Sequence, residues 1–224
     1  MPVANQKGVR VTTSIIGVGN LGRTVARHLV GGGESVVLAA ADEVHAEALA
    51  DELGPNASAA SVEEAIAGAD VVVLATWLDQ TKDLVPARAR LLEDKVVVDP
   101  SNPIGFDENG QMFRTLPAGE SAGSIVAALL PESAHYVKAF GTLGADQLAT
   151  SANREPRVVL FYATDDDAAE ATAQRLISAA GFEPLKVGGV SDAGRIEGPD
   201  GELQGRIFDL DEARATIATE GVKT

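Results

Sequence analysis

This chain of 224 residues predicts an α/β fold. The expected architecture is a Rossmann-type, doubly wound and mostly parallel sheet with helices on both faces, extended by a C-terminal strand–helix–strand. Three observations carry that expectation. Short apolar runs alternate with helical patterns along most of the length. Several runs are unbroken, Val71-Val72-Val73-Leu74 and Val96-Val97-Val98 among them, as suits strands covered on both faces. Finally, a glycine-rich turn, Gly17-Val18-Gly19-Asn20-Leu21-Gly22, joins the first strand to the first helix.

Residues 1–10 read as a polar, mobile arm without a signal-peptide core. Strands are predicted over 13–17, 35–40, 70–75, 95–99, 135–140, 157–162 and 183–187. The first helix spans 20–30 and stops at Gly31-Gly32-Gly33, where glycine can turn left-handed. A second runs through 46–53. Ser61-Val62-Glu63-Glu64 is a capping box that opens the third, which ends near Gly68. Pro86 predicts a turn and a fresh helix beginning near it. Two more helices cover 121–130 and 166–180. The run Asp165-Asp166-Asp167 reads as the cap and dipole complement of the last of these rather than as a metal site. Two regions follow: a nucleotide-binding unit over 11–150, and a small extension of the same sheet plus tail over 155–224, with a short helix near 210–219.

Composition excludes several functions. A net charge of −15, from 18 basic and 33 acidic residues, works against the counterion release on which duplex binding depends. Aromatic residues make up 4% of the chain, too few to stack on single strands. No apolar run is long enough to span a membrane. With no cysteine, thiolate metal sites and cysteine nucleophiles are ruled out. The expectation is a cytoplasmic protein that binds neither nucleic acid nor membrane.

The glycine turn is the most informative segment. It follows a strand and opens a helix, the context that gives G-x-G-x-x-G its meaning. Gly17 makes the tight turn, Gly19 lets the backbone approach a pyrophosphate, and Gly22 lets helix and strand pack closely. Free N–H groups and the positive end of the helix then face the anion. The cofactor predicted is NADP or NAD, held by Gly17, Val18, Gly19, Asn20, Leu21 and Gly22. Nucleotide choice falls to Ala40-Ala41-Asp42, where Asp42 either meets the ribose or caps the next helix.

Further candidates lie at the carboxyl ends of later strands, where open α/β sheets bind ligands. Thr76 and Trp77 follow one strand, and the only Trp of the chain is a candidate wall for a planar ring. Asn102 and Pro103 follow the next; Asn102 either bonds the nicotinamide ribose or carboxamide, or belongs to a turn-forming Asn-Pro pair. Gly141, Thr142 and Leu143 end another strand, with glycines that imply close backbone approach. His28 and His45 are expected on exposed helix faces. No residue stands out as an acid–base catalyst and no cluster has metal-ligand spacing, which hydride transfer between aligned rings tolerates.

Ile16-Gly17-Val18-Gly19-Asn20-Leu21-Gly22, Val97-Val98-Asp99-Pro100-Ser101-Asn102-Pro103 and Val137-Lys138-Ala139-Phe140-Gly141-Thr142-Leu143 together resemble one family. It is the NADP oxidoreductases dependent on the deazaflavin coenzyme F420, a module also related to the cytosolic domain of membrane ferric reductases. The resemblance runs over about 13–197. It implies hydride exchange between NAD(P)H and a deazaflavin or flavin-like small-molecule co-substrate. Gly17 to Gly22 would hold the pyrophosphate, Thr76-Trp77 and Asn102-Pro103 would flank the nicotinamide, and Trp77 with Gly141-Thr142-Leu143 would face the acceptor. It also implies a homodimer formed through the late segment. Family members usually carry Ser-Arg after the second strand, where this chain has Ala40-Ala41-Asp42. Two other readings stand beside it: a reductase of a small imine or carbonyl, and a nucleotide-sensing protein without turnover.

Overall fold

The structure, a computed structural model, describes residues 11–220; the N-terminal arm and the last four residues lie outside them. In chain order the strands are β1 (Thr13–Ile16), β2 (Val36–Ala39), β3 (Ala57–Ala59), β4 (Val71–Leu74), β5 (Val96–Asp99), β6 (Ile104–Phe106), β7 (Met112–Arg114), β8 (His135–Ala139), β9 (Val159–Ala163) and β10 (Glu183–Gly188). Eight of them form one sheet in the order β10-β9-β8-β5-β4-β1-β2-β3, and β6 with β7 forms a separate hairpin. From β3 to β8 the neighbours are parallel. The crossover between β1 and β4 puts a crevice beyond their carboxyl ends, where such sheets receive nucleotides. Strand β9 then pairs antiparallel with β8, and β10 pairs parallel with β9.

Alternating side chains of the strands feed two cores. On one face Ile15, Val73, Val98 and Val137 pack under α1 (Asn20–Gly31) and α2 (Glu43–Leu53), and two later helices, over 145–151 and 167–179, complete that layer. On the other, Ile16, Val72, Leu74 and Val97 pack under α3 (Val62–Ala67), α4 (Leu78–Ala87) and α5 (Ala89–Leu92). The helix α6 (Ala122–Leu129) covers the end of that face above Tyr136. With both sides buried, no polar alternation is possible, which is why β4 and β5 read as continuous valine runs. Helices α7 (Ala145–Ser151), α8 (Asp167–Ala179) and α9 (Leu210–Glu220) complete the chain, with a 3-10 segment, Val190–Ile196, before the last.

The capping box is present: the Ser61 hydroxyl accepts from the Glu64 amide and the Glu64 carboxylate from the Ser61 amide. Asp166 caps α8, accepting from the Ala169 amide at 2.8 Å. Pro86 does not start a helix. It sits in the last turn of α4, and the break comes at Arg88, whose amide bonds the Leu84 and Val85 carbonyls. Buried Leu78, Thr81 and Val85 hold that helix on the sheet, and a proline so near the end forfeits one hydrogen bond. His28 also departs from expectation. It is half-buried, edge-on to Phe182 with ring centroids 6.1 Å apart and 3.1 Å from the Leu148 carbonyl, because α7 and α8 return to cover α1. Three strands have no counterpart among the predicted ones: β3, made of small residues, and the two arms of the β6–β7 hairpin.

Candidate functional site

Strand β1 delivers the glycine turn to the middle of the carboxyl edge. Gly17 has φ +100°, a conformation few side chains tolerate, and a Cβ there would strike the Ala75 carbonyl. A Cβ on Gly22 would strike the Gly17 carbonyl. Gly19 is different: a Cβ there meets nothing within 4 Å, so its space opens outward. It caps α1 in extended conformation with no side-chain hydrogen bond, and the first turn holds no acidic residue. The leading amides of α1 thus have neither a capping oxygen nor a competing carboxylate, and suit an incoming anion. Val18 is buried while Asn20 is exposed, and the Arg23 guanidinium folds back to the Val18 carbonyl at 3.4 Å. A cation therefore lies beside the cradle. These residues fit a dinucleotide pyrophosphate.

Asp42 caps α2: its carboxylate accepts from the Val44 amide at 3.2 Å and lies 3.3 Å from His45 Nδ1. Ala41 beside it is exposed. Thr76 shares a 2.8 Å hydroxyl contact with Thr81, fixing the start of α4. Trp77, 59% exposed, stands edge-on to Phe106 of the hairpin at 6.2 Å and 84°. It is therefore not a core residue clamping helix to sheet. Phe106 and Met112 are also exposed and pair across β6 and β7, so an apolar rim continues from Trp77.

Asn102 bridges separate segments. Its amide donates to the Gly141 carbonyl at 2.7 Å and accepts from the Gly198 amide at 3.0 Å. One N–H and one lone pair remain for any ligand. Pro103 is buried, and its carbonyl accepts from the Thr115 amide. A Cβ on Gly141 would come 2.5 Å from the Pro100 carbonyl, so the glycine there answers first to a neighbouring loop. Thr142 and Leu143 are buried, and the hydroxyls of Thr142 and Ser101 have no partner. The structure thus sets the glycine turn, Thr76-Trp77, Asn102 and Gly141-Thr142 in one row of loops beyond parallel strands. Asp42, past the end of β2, flanks that row.

Beneath the row lies a network that sequence reasoning missed. Fully buried Asp99 accepts from the Tyr136 hydroxyl at 2.8 Å and from Lys138 Nζ at 3.1 Å. Lys138 also donates to the Ser101 carbonyl and lies 3.5 Å from Glu197. Burial, then the charge of Asp99, pushes the Tyr136 phenol well above its ordinary range, so it stays protonated. Asp99 and Lys138 each interrupt an apolar strand, a signal legible in the sequence; Glu197 offered none. Among the described residues no cluster suits a metal ion, and no helix is long and apolar enough to cross a membrane. An open groove lined by Glu47, Asp51 and Ser58, between α2 and β3, lies away from the row and offers carboxylates where an anion needs donors.

Comparison with known proteins bears on the fold and on the stretch that holds the turn. Residues 12–103 match the family described as NADP oxidoreductase, coenzyme F420-dependent. That stretch, less than half of the chain, is similar to the family. The metalloreductase STEAP3 of Rattus norvegicus is 30% identical over 183 residues, covering 82% of this chain and 35% of that protein. The chain thus spans about a third of that relative. Among solved structures, the hypothetical protein SMa0349 of Sinorhizobium meliloti is 28% identical, with a TM-score of 0.79 over 90% of this chain and 96% of the other. A candidate F420-dependent NADP-reductase from Arthrobacter sp. FB24 is 25% identical, with a TM-score of 0.70 over 81% and 86%. The matched stretch begins just before β1 and ends at Pro103, so it takes in the glycine turn and the Asn102 loop.

Proposed function

We propose that the protein is an NAD(P)-dependent oxidoreductase that exchanges hydride with a deazaflavin or flavin-like acceptor. The observation that carries this reading is the turn itself: Gly19 opens outward at the uncapped, acid-free start of α1, above a β1–β4 crevice. When bound, the dinucleotide supplies a nicotinamide that gives or takes hydride. The amides from Gly19 onward hold the pyrophosphate, with Arg23 adding positive charge. Trp77 and Phe106 give one flank of the row an apolar surface suited to a planar ring and exclude water there. Asn102 keeps one donor and one acceptor for the nicotinamide side, and the backbone of 141–143 forms the floor on the acceptor side.

The proposal includes the co-substrate class and assembly as a homodimer through the late segment. The test is spectroscopic: NADPH or NADH is mixed with oxidised deazaflavin and the protein, and the deazaflavin absorbance is followed. Its protein-dependent loss is expected. Binding of dinucleotide without turnover of deazaflavin or flavin would sink the acceptor assignment, and absence of dinucleotide binding would sink the whole reading. Light scattering of the purified protein tests the dimer.

A further inference from the structure

We infer that the C-terminal segment 197–205 is a working part of the acceptor edge, and that Glu197 is the positioning residue that fastens it there. What the edge is used for rests on the function proposed above; how it is held does not. Glu197 is fully buried. One carboxylate oxygen accepts from the Gly123 amide at 2.7 Å and the Ser121 hydroxyl at 3.0 Å, and the other from the Ala122 amide at 2.9 Å. The N-terminus of α6 is thus filled by an anion from the chain's own tail. Lys138 Nζ lies 3.5 Å away and ties Glu197 to Asp99 and to the Ser101 carbonyl.

The residues that follow reach two loops of this edge, the Asn102 loop on the nicotinamide side and the 141–143 loop on the acceptor side. Gly198 donates its amide to Asn102, which in turn donates to the Gly141 carbonyl. A Cβ on Gly198 would come 2.6 Å from Ile104, so the segment seats flush against the start of the hairpin. Further on, Gly205 donates its amide to the Thr142 carbonyl at 2.7 Å, and its own carbonyl accepts from Gln147 at 2.9 Å. The β5 loop and the β8 loop therefore each take a hydrogen bond from one strap, which the Glu197 carboxylate fastens at its start and buried Leu203 seats further on. The glycine turn receives nothing from it. Loss of Glu197 should accordingly loosen the edge where nicotinamide and acceptor meet and leave the pyrophosphate cradle intact.

Glu197→Ala leaves a carboxylate-sized space facing two amides, a hydroxyl and Lys138, into which formate fits. Amide hydrogen exchange on the ligand-free protein reads the strap directly. Protection should fall at 101–104, 141–144 and 198–205, stay unchanged at 17–25, and return with formate but not with chloride at equal ionic strength. In turnover the KM for deazaflavin should rise several-fold more than kcat falls, with dinucleotide Kd changed much less than that KM and formate again restoring both. Retained protection at both loops, a uniform loss across the protein, an equal loss of dinucleotide affinity, or no response to formate would each overturn the role of Glu197. Should the alanine variant not fold, Glu197→Gln replaces it, and full protection of both loops in that variant overturns the role equally. If exchange responds as expected while even the wild-type protein reduces no deazaflavin, the proposed acceptor fails and the strap stands.

Discussion

Three glycines of one turn do three separable jobs. Gly22 and Gly17 have no room for a side chain, so Gly22→Ala is expected to lower thermal stability measurably, with or without ligand. At Gly19 a Cβ meets nothing within 4 Å, so Gly19→Val should fold, yet its branched side chain occupies the anion's approach. Dinucleotide affinity is then expected to fall by about tenfold or more, equivalent to about 1.4 kcal/mol; unchanged affinity by calorimetry in the folded variant would move the site elsewhere. Trp77 follows the same logic. Because it is 59% exposed, Trp77→Ala should leave the melting temperature nearly unchanged, while the wild-type fluorescence should quench as dinucleotide or acceptor binds. An indifferent signal would remove the ring wall. Nucleotide choice is best tested at Ala41, since replacing Asp42 also removes the α2 cap, worth about 1 kcal/mol. Ala41→Arg should tighten NADPH several-fold and leave NADH unchanged, because a guanidinium fork is what a 2′-phosphate lacks here. These residues were legible in the sequence because their roles are local: spacing and glycine chemistry suffice. Glu197 was not, because its hydrogen-bond partners at the start of α6 lie 74 to 76 residues away and nothing in its own neighbourhood betrays them.

Elements were legible where local signals and burial agree. The valine runs of β4 and β5, the Ser61 box and the stop after α1 all fell where expected. The β6–β7 hairpin went unread although Asn109-Gly110 between Phe106 and Met112 is a turn signal; its strands are three residues each and bury too little to show a period. Pro86 misled because packing of α4 outweighed a single missing amide. The placement of α1 has a consequence for pH. Burial holds His28 below its ordinary 6.5, against the raising effect of the Leu148 carbonyl. The folded state then binds the proton more weakly than the unfolded chain, so its stability is complete above pH 6.5 and is lost as pH falls through the lower folded value. His28→Gln keeps a donor for the carbonyl and cannot titrate. Urea midpoints for that variant should fall less between about pH 7 and 5 than for the wild type; identical slopes would assign the acid sensitivity to other groups.

For the molecule as a whole, a mostly parallel sheet was foreseeable from alternation, and so was the attachment of β9 and β10 to it. Their reversal was not, since direction is set by the connection from β8 through α7 to β9 rather than by any residue in the strands. The reversed pair has its own core, with Val159, Phe161, Ile196, Leu203, Phe208 and Ala213 packed together. Phe208, edge-on to Phe161 at 5.9 Å, is the keystone of that tail. Phe208→Ala should cost about 3–5 kcal/mol, and so lower the melting temperature by about 2–4 °C for each kcal/mol. A shift near zero would mean the tail contributes little to the fold. The strap has a further consequence, in the order of events rather than in space. Its bonds to Asn102 and to α6 close loops of 96 and 75 residues, whereas the glycine turn is completed by its own strand and helix. Long loops cost little extra at equilibrium, about 0.6 kcal/mol per doubling, but they close late. The nucleotide half of the site is therefore expected to form first and to open last. A protein built in this order can keep its nucleotide through partial openings that free the acceptor side.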